Sequence, residues 1–226
     1  MRQALIPAAF AIAASLAVAA PAAAQQTETV DRTVPVSPTG RVVLKTFSGT
    51  VKITGSARSD VVVHAVRHAP ADRLAHIKLD VQSHGSEVVI DANKRDADWE
   101  EHNNNVVETD FDIQVPRGVS VDVHSFSADV HVIGVDGEQS LKSFSGDIEL
   151  EGARGPLTAE TFSGKIDIAF DAGVSGDLDF DTFSGNLRTS LQLTLESTSK
   201  RRVKAKLGGG GPELRLKTFS GDVRLK

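Results

Sequence analysis

Six times the chain sets a hydroxyl residue, a phenylalanine, a serine and a small residue in a row: Thr46-Phe47-Ser48-Gly49, Ser125-Phe126-Ser127-Ala128, Ser143-Phe144-Ser145-Gly146, Thr161-Phe162-Ser163-Gly164, Thr182-Phe183-Ser184-Gly185 and Thr218-Phe219-Ser220-Gly221. From Phe126 the phenylalanines step by 18, 18, 21 and 36 residues, the last being twice 18. A fixed short period is the mark of an array in which each unit stacks on the next, because one unit alone cannot bury its apolar face.

Numbered from the phenylalanine as zero, apolar residues recur at −5, −3, +4 and +6. Examples are Val121, Val123, Val130 and Val132, or Leu157, Ala159, Ile166 and Ile168. Apolar residues two apart line one face of a strand, so each copy predicts two short strands joined at the Ser-Gly corner. Gly134 and Gly137, like Gly152 and Gly155, predict the turn that follows. Stacked in parallel, the copies predict an all-β, single-stranded parallel β-helix or β-solenoid with rungs of about 18 residues. The phenylalanines are expected to stack inward, and Gly49, Gly146, Gly164, Gly185 and Gly221 to shape the corners; Ala128 argues that the corner does not need a positive φ. Between Phe183 and Phe219 the sequence offers two readings, of which the first is the one expected and the second its competitor. One is a degenerate copy centred on Arg201, with Ala205 and Leu207 inward. The other is an antiparallel hairpin of Leu191, Leu193 and Leu195 against Val203, Ala205 and Leu207.

Residues 1–24 predict a secretory signal peptide: Arg2, an apolar run, then Ala22-Ala23-Ala24 before Gln25. No later stretch is apolar enough to span a membrane, so the expected location is the periplasm or the cell surface. The chain has no cysteine, which excludes disulfides and thiolate metal sites. Residues 25–118 predict an N-terminal β region holding the first copy and an antiparallel cap, and 119–226 the regular array, the two forming one continuous domain. Within the first part, Ile77 to Val81 and Val88 to Ile90 flank Ser83-His84-Gly85-Ser86 as a hairpin, Asp96 to Asn105 is an exposed loop, and Phe111 to Val115 is a strand ending at Pro116-Arg117-Gly118. Residues 66–118 are expected to interrupt the array after its first copy and to protect its N-terminal edge.

With the Thr/Ser-Phe-Ser-Gly-Asp copies, the Val115-Pro116-Arg117-Gly118 turn and the leader in view, the chain resembles the bacterial "putative adhesin" family of β-strand-repeat proteins, a domain-of-unknown-function group. The resemblance covers nearly all of the chain after the leader. It implies adhesion-type binding and brings no catalytic residues.

The residues themselves point the same way. A nucleophile is one residue activated by one base, whereas Ser48, Ser127, Ser145, Ser163, Ser184 and Ser220 are equivalent and read as hydroxyls serving backbone groups at a corner. Asp167, Asp177, Asp179 and Asp181 are the candidate calcium cluster, set against a plain polar outer face, since alternate residues on a strand lie ~6.6 Å apart. If Asp167, Asp177 and Asp179 converged with Arg188 in one groove, a carbohydrate-active β-helix enzyme would be the reading. His124 and His131, flanking one copy, are the candidate pH-sensitive pair. Charge is uneven: residues 197–226 carry nine Lys/Arg against Glu213 and Asp222, in a chain of net charge −5. Lys200, Arg201, Arg202, Lys204 and Lys206 are the candidate dock for an anionic envelope polymer or an acidic partner, against the simpler reading of a solvated edge that resists strand addition. The expectation is an exported, non-catalytic scaffold that needs no cofactor. Its partners would be envelope polysaccharide, another envelope protein or further copies of itself, and not nucleic acid.

Overall fold

The computed structural model describes residues 25–97, 99 and 105–226. The expected leader and most of the Asp96 to Asn105 loop lie outside the described residues. The chain runs β1 (Gln25–Pro35), β2 (Arg41–Thr46), β3 (Thr50–Ser56), β4 (Asp60–Pro70), a short helix α1 (Ala71–His76), β5 (Ile77–His84), β6 (Glu87–Arg95) and β7 (Glu108–Pro116). It continues as pairs: β8 (Ser120–Ser125) and β9 (Asp129–Ile133), β10 (Gln139–Ser143) and β11 (Ile148–Glu151), β12 (Leu157–Thr161) and β13 (Ile166–Ala169), and β14 (Gly176–Thr182) and β15 (Leu187–Thr189). Last come β16 (Leu193–Thr198), β17 (Arg202–Leu207), β18 (Glu213–Thr218) and β19 (Val223–Leu225).

These strands form two mixed sheets. One has the order β1-β4-β7-β3-β9-β11-β13-β19-β15, the other β16-β17-β14-β18-β12-β10-β8-β2-β6-β5. Copies pair in parallel with like positions opposite: Gln139 lies between Val121 and Leu157, and Ile148 between Val130 and Ile166. Positions −5 and −3 face inward from one sheet, and +4 and +6 from the other. Together they make one core running from Val36 to Leu225.

The first copy joins the array directly: β2 pairs with β8 and β3 with β9 across about seventy intervening residues. The segment expected to interrupt the array lies on the outer side of that copy instead. β6 pairs with β2 and β7 with β3, both in parallel, and the antiparallel strands β5, β4 and β1 follow outward. Arg67, buried on β4, donates to Glu28 and to the carbonyl of Ile77, tying the first sheet to β5 of the second.

Two further expectations are corrected. No copy is centred on Arg201; β16 and β17 form the antiparallel hairpin, with Leu193 opposite Leu207 and Leu195 opposite Ala205. Spatial order also departs from chain order. The C-terminal pair β18–β19 lies between β12–β13 and β14–β15, parallel to both. The outward charges fit this order. Position −2 reads Lys142, Glu160, Lys217, Asp181 across the sheet, with Arg202 next on β17. Chain order would have set Glu160 beside Asp181, where like charges repel.

Candidate functional site

Five of the six corners are built by the hydroxyl at −1; in the first copy the buried Thr46 hydroxyl has no partner among the described residues and the chain turns at Gly49. In those five the −1 residue points inward with −3, and its oxygen accepts the N–H at +2: Ser125 from Ala128 (2.8 Å), Ser143 from Gly146 (2.8 Å), Thr161 from Gly164 (3.0 Å), Thr182 from Gly185 (2.8 Å) and Thr218 from Gly221 (2.8 Å). A side-chain-closed turn of this kind lets the strand reverse its inward parity without losing a buried donor. Positions zero and +1 both fall outside, and +2 returns to the core. Among these corner glycines only Gly49 has a positive φ, +109°. The others are glycine for lack of space: a Cβ on Gly164 would stand 2.1 Å from the carbonyl oxygen of Gly146.

The phenylalanines therefore stack, but outward, which corrects the inward expectation. The +1 amides fix their heights by donating to the neighbouring phenylalanine carbonyl: Ser127 to Phe47, Ser145 to Phe126, Ser163 to Phe144, Ser220 to Phe162 and Ser184 to Phe219, at 2.7–3.1 Å. The hydroxyls of Ser127, Ser184 and Ser220 reach the same carbonyls. The rings form a single file, Phe47, Phe126, Phe144, Phe162, Phe219, Phe183, with centroids 4.6–5.0 Å apart and planes within 19° of parallel. Each ring is 38–50 % exposed. Stacking of this kind contributes about 0.5–1.5 kcal/mol per pair beyond burial. It occupies the ring faces and leaves their electropositive edges as an apolar ridge. At one end the Arg201 guanidinium covers the last face, 4.2 Å from the Phe183 centroid.

Beside the ridge runs the charged −2 column. A groove of about 410 Å³ opens between them where Glu160, Lys217 and Asp181 flank Phe162, Phe219 and Phe183.

On the other flank, the +3 carboxylates act on the backbone. Asp129 accepts the amide of Asp147, Asp147 that of Lys165, and Asp222 both the amide and the side-chain nitrogen of Asn186. The hydrogen bonds from Asn186 hold the Asp222 carboxyl below its ordinary value.

The candidate basic dock is largely paired. Arg202 grips Asp179 through two bonds of 2.9 and 2.6 Å, Lys204 is 3.8 Å from the same carboxylate, and Lys206 is 3.2 Å from Glu196. Arg202 foremost, then Lys204 and Arg215, depresses the Asp179 pKa against the upward push of burial. Arg201 lies on Phe183, and Lys200 stands exposed at the hairpin turn.

The aspartate cluster is divided between the sheets. Asp177, Asp179 and Asp181 lie on β14, while Asp167 lies on β13 and faces Arg224 at 3.5 Å. Arg188 is 3.5 Å from Asp222. The convergence an enzyme reading required is not what the strands build. No group of three or more potential metal ligands occurs among the described residues.

His124 and His131 also lie on different sheets, beside Asp122 at 3.1 Å and Glu151 at 3.3 Å. Burial pushes the Asp122 carboxyl up, but the hydrogen bond from Arg41 and the nearby His124 outweigh it and hold the pKa low.

The ridge is the feature that sequence reasoning missed, and its signal was present. A buried hydroxyl at −1, one residue before the phenylalanine on a strand, puts the ring outside.

No curated protein matches this sequence. Among solved structures, the fold is similar to a "putative cell adhesion protein" from Clostridium sporogenes ATCC 15579, with TM-score 0.65 and 11 % identity over 88 % of this chain and 99 % of that one. A "putative adhesin" from Bacteroides fragilis NCTC 9343 matches at TM-score 0.27 and 13 % identity, over 88 % and 97 % of the two chains. One from Parabacteroides distasonis ATCC 8503 matches at TM-score 0.22 and 9 % identity, over the same shares. The family described as Toastrack DUF4097 matches residues 23–226. That match spans all of the described strands, and the chain belongs to the Toastrack DUF4097 family.

Proposed function

We propose that this chain is an exported, non-catalytic β-solenoid scaffold, with parallel rungs of about 18 residues and an antiparallel N-terminal cap. In this reading it binds partners in the cell envelope, as an adhesin would, through the phenylalanine ridge. The observation that carries the reading is the single file of six half-exposed rings. Contiguous apolar surface on an exported protein marks an interaction site. The corners hold the rings in place, so little side-chain freedom is lost on binding. Because stacking hides the faces, the ridge presents edges. That suits insertion into an apolar groove of another envelope protein better than face-on contact with sugar rings. The alternating −2 column would supply the polar rim and fix the register. Lys200, Arg201, Arg202, Lys204 and Lys206 then act chiefly to close the end of the stack, and Lys200 remains as the free cation of that group for an anionic polymer.

The test is retention of native envelope material by the chain from Gln25 onward. Phe144→Ser/Phe162→Ser should lose most of the retained protein while keeping the wild-type circular dichroism; undiminished retention by that folded variant refutes the reading. The charge asymmetry supports a second reading, self-association of the basic C-terminal part on the acidic body of another copy. Light scattering tests it: oligomers should dissolve as salt rises, and a monomer at every salt concentration removes it.

A further inference from the structure

The last segment of the chain occupies an interior position. Without residues 213–225, four strand edges would face an open slot: β12 and β14 in one sheet, β13 and β15 in the other. The rest of the chain must therefore shape this slot, or part β14–β15 from β12–β13, before the segment can fill it.

The segment arrives on a hinge, Gly208-Gly209-Gly210-Gly211-Pro212. Gly208, Gly210 and Gly211 have φ of +54°, +79° and +150°, so the closed loop depends on glycine. The hinge carries the chain over the end of β14, from β17 on one side to β18 on the other, a crossing of two strand spacings or ~10 Å.

Almost everything that holds the segment belongs to the slot. Leu214, Leu216, Val223 and Leu225 are buried against it, and Phe219 is stacked between Phe162 and Phe183. The Lys226 amide donates to the Ile168 carbonyl (3.0 Å), and the Lys226 carbonyl accepts from Phe170 (2.8 Å). Charge adds selectivity: Lys217 enters between Glu160 and Asp181, and Arg224 faces Asp167. A segment held by its slot and joined by a glycine-rich hinge can be supplied by another copy, since exchange preserves every contact outside the hinge.

We infer that two copies of this chain exchange residues 213–226, each segment completing the slot and the phenylalanine file of the other. The dimer presents two ridges on one particle, each with its Phe219 supplied by the other copy, which raises avidity without any new contact. Unlike the electrostatic association above, exchange survives high salt. It also stands whether or not the ridge binds an envelope protein.

The absence of native cysteine gives a direct test. Thr158 and Arg215 are register partners on adjacent outer positions of β12 and β18, and neighbouring parallel strands are within disulfide reach. Chains carrying Thr158→Cys alone and chains carrying Arg215→Cys alone are refolded together at high concentration and oxidised. The same is done with Asp167→Cys and Arg224→Cys, register partners in the other sheet. Exchange predicts mixed disulfide dimers in severalfold excess over like-with-like dimers for both pairs. A mixed fraction no greater than random collision gives, for either pair, overturns the inference.

Discussion

Replacing Gly164 by alanine asks whether the tiers are in the tight contact that the corner geometry requires. The added Cβ would lie 2.1 Å from the Gly146 oxygen and 2.9 Å from the Thr161 hydroxyl oxygen. Real carbon–oxygen contacts begin more than an ångström beyond the first of these distances. Relief by rotation is not available, because the obstacle is backbone. Gly146 is itself held by its bond to Ser143, and Gly164 by its bond to Thr161. The tiers must part locally, loosening the Ser163–Phe144 hydrogen bond (3.1 Å) and the stack of Phe144 on Phe162. Overpacking of this kind costs about 1–3 kcal/mol, and the upper half applies where backbone must move on both sides. In a domain of some 200 residues this lowers Tm by roughly 4–12 °C. Ala128→Gly is the matched control. The tier below it turns at Gly49 with positive φ, the Ala128 methyl is buried without that conflict, and its removal costs about 0.5–1 kcal/mol. Urea unfolding at pH 7, read by circular dichroism, measures both. A Gly164→Ala midpoint within error of wild type would refute the close-contact reasoning.

Removal of Arg201, as Arg201→Ala, should uncover the outer face of Phe183 and cost about 0.5–1 kcal/mol in the same assay, with no effect on the distant tiers by amide exchange. Acid should loosen the end hairpin. The Asp179 pKa is below its ordinary value of 3.8 in the folded state, chiefly through Arg202. Its contribution is therefore complete above about pH 4 and is lost as pH falls through the depressed value. Amide protection in β17 should hold from pH 7 to about 4 and then decline, and in Asp179→Asn it should start lower and vary less; a decline already complete at pH 5 would contradict the pairing. Asp147→Ala removes the acceptor of the Lys165 amide and should speed exchange of that amide more than that of Ile148, with a stability loss of about 1 kcal/mol.

Local pattern was legible wherever it was unambiguous. Alternation placed Val121, Val123, Ile148 and Leu150 in the core, Gly85 marked the hairpin turn, and Ala128 showed that the corner tolerates a negative φ. The order of the tiers was not legible from apolar residues. Leu157, Leu178 and Leu214 are interchangeable at −5, as are Ile166, Leu187 and Val223 at +4, so the core accepts any sequence of stacking. Only the outer charges distinguish the orders, through Lys217 between two acids and Arg224 against Asp167. The basic cluster was visible as composition, but its partners Asp179, Glu196 and Phe183 come from an antiparallel pairing and a stack that sequence spacing does not reveal.

Fluorine spectroscopy of the chain labelled at phenylalanine tests the ridge most directly, because the buried Phe111 and Phe180 serve as internal references. On addition of solubilised native envelope, the resonances of Phe126, Phe144, Phe162 and Phe219 should shift or broaden together while those of Phe111 and Phe180 stay in place. Binding that leaves the ridge resonances unmoved would contradict the account.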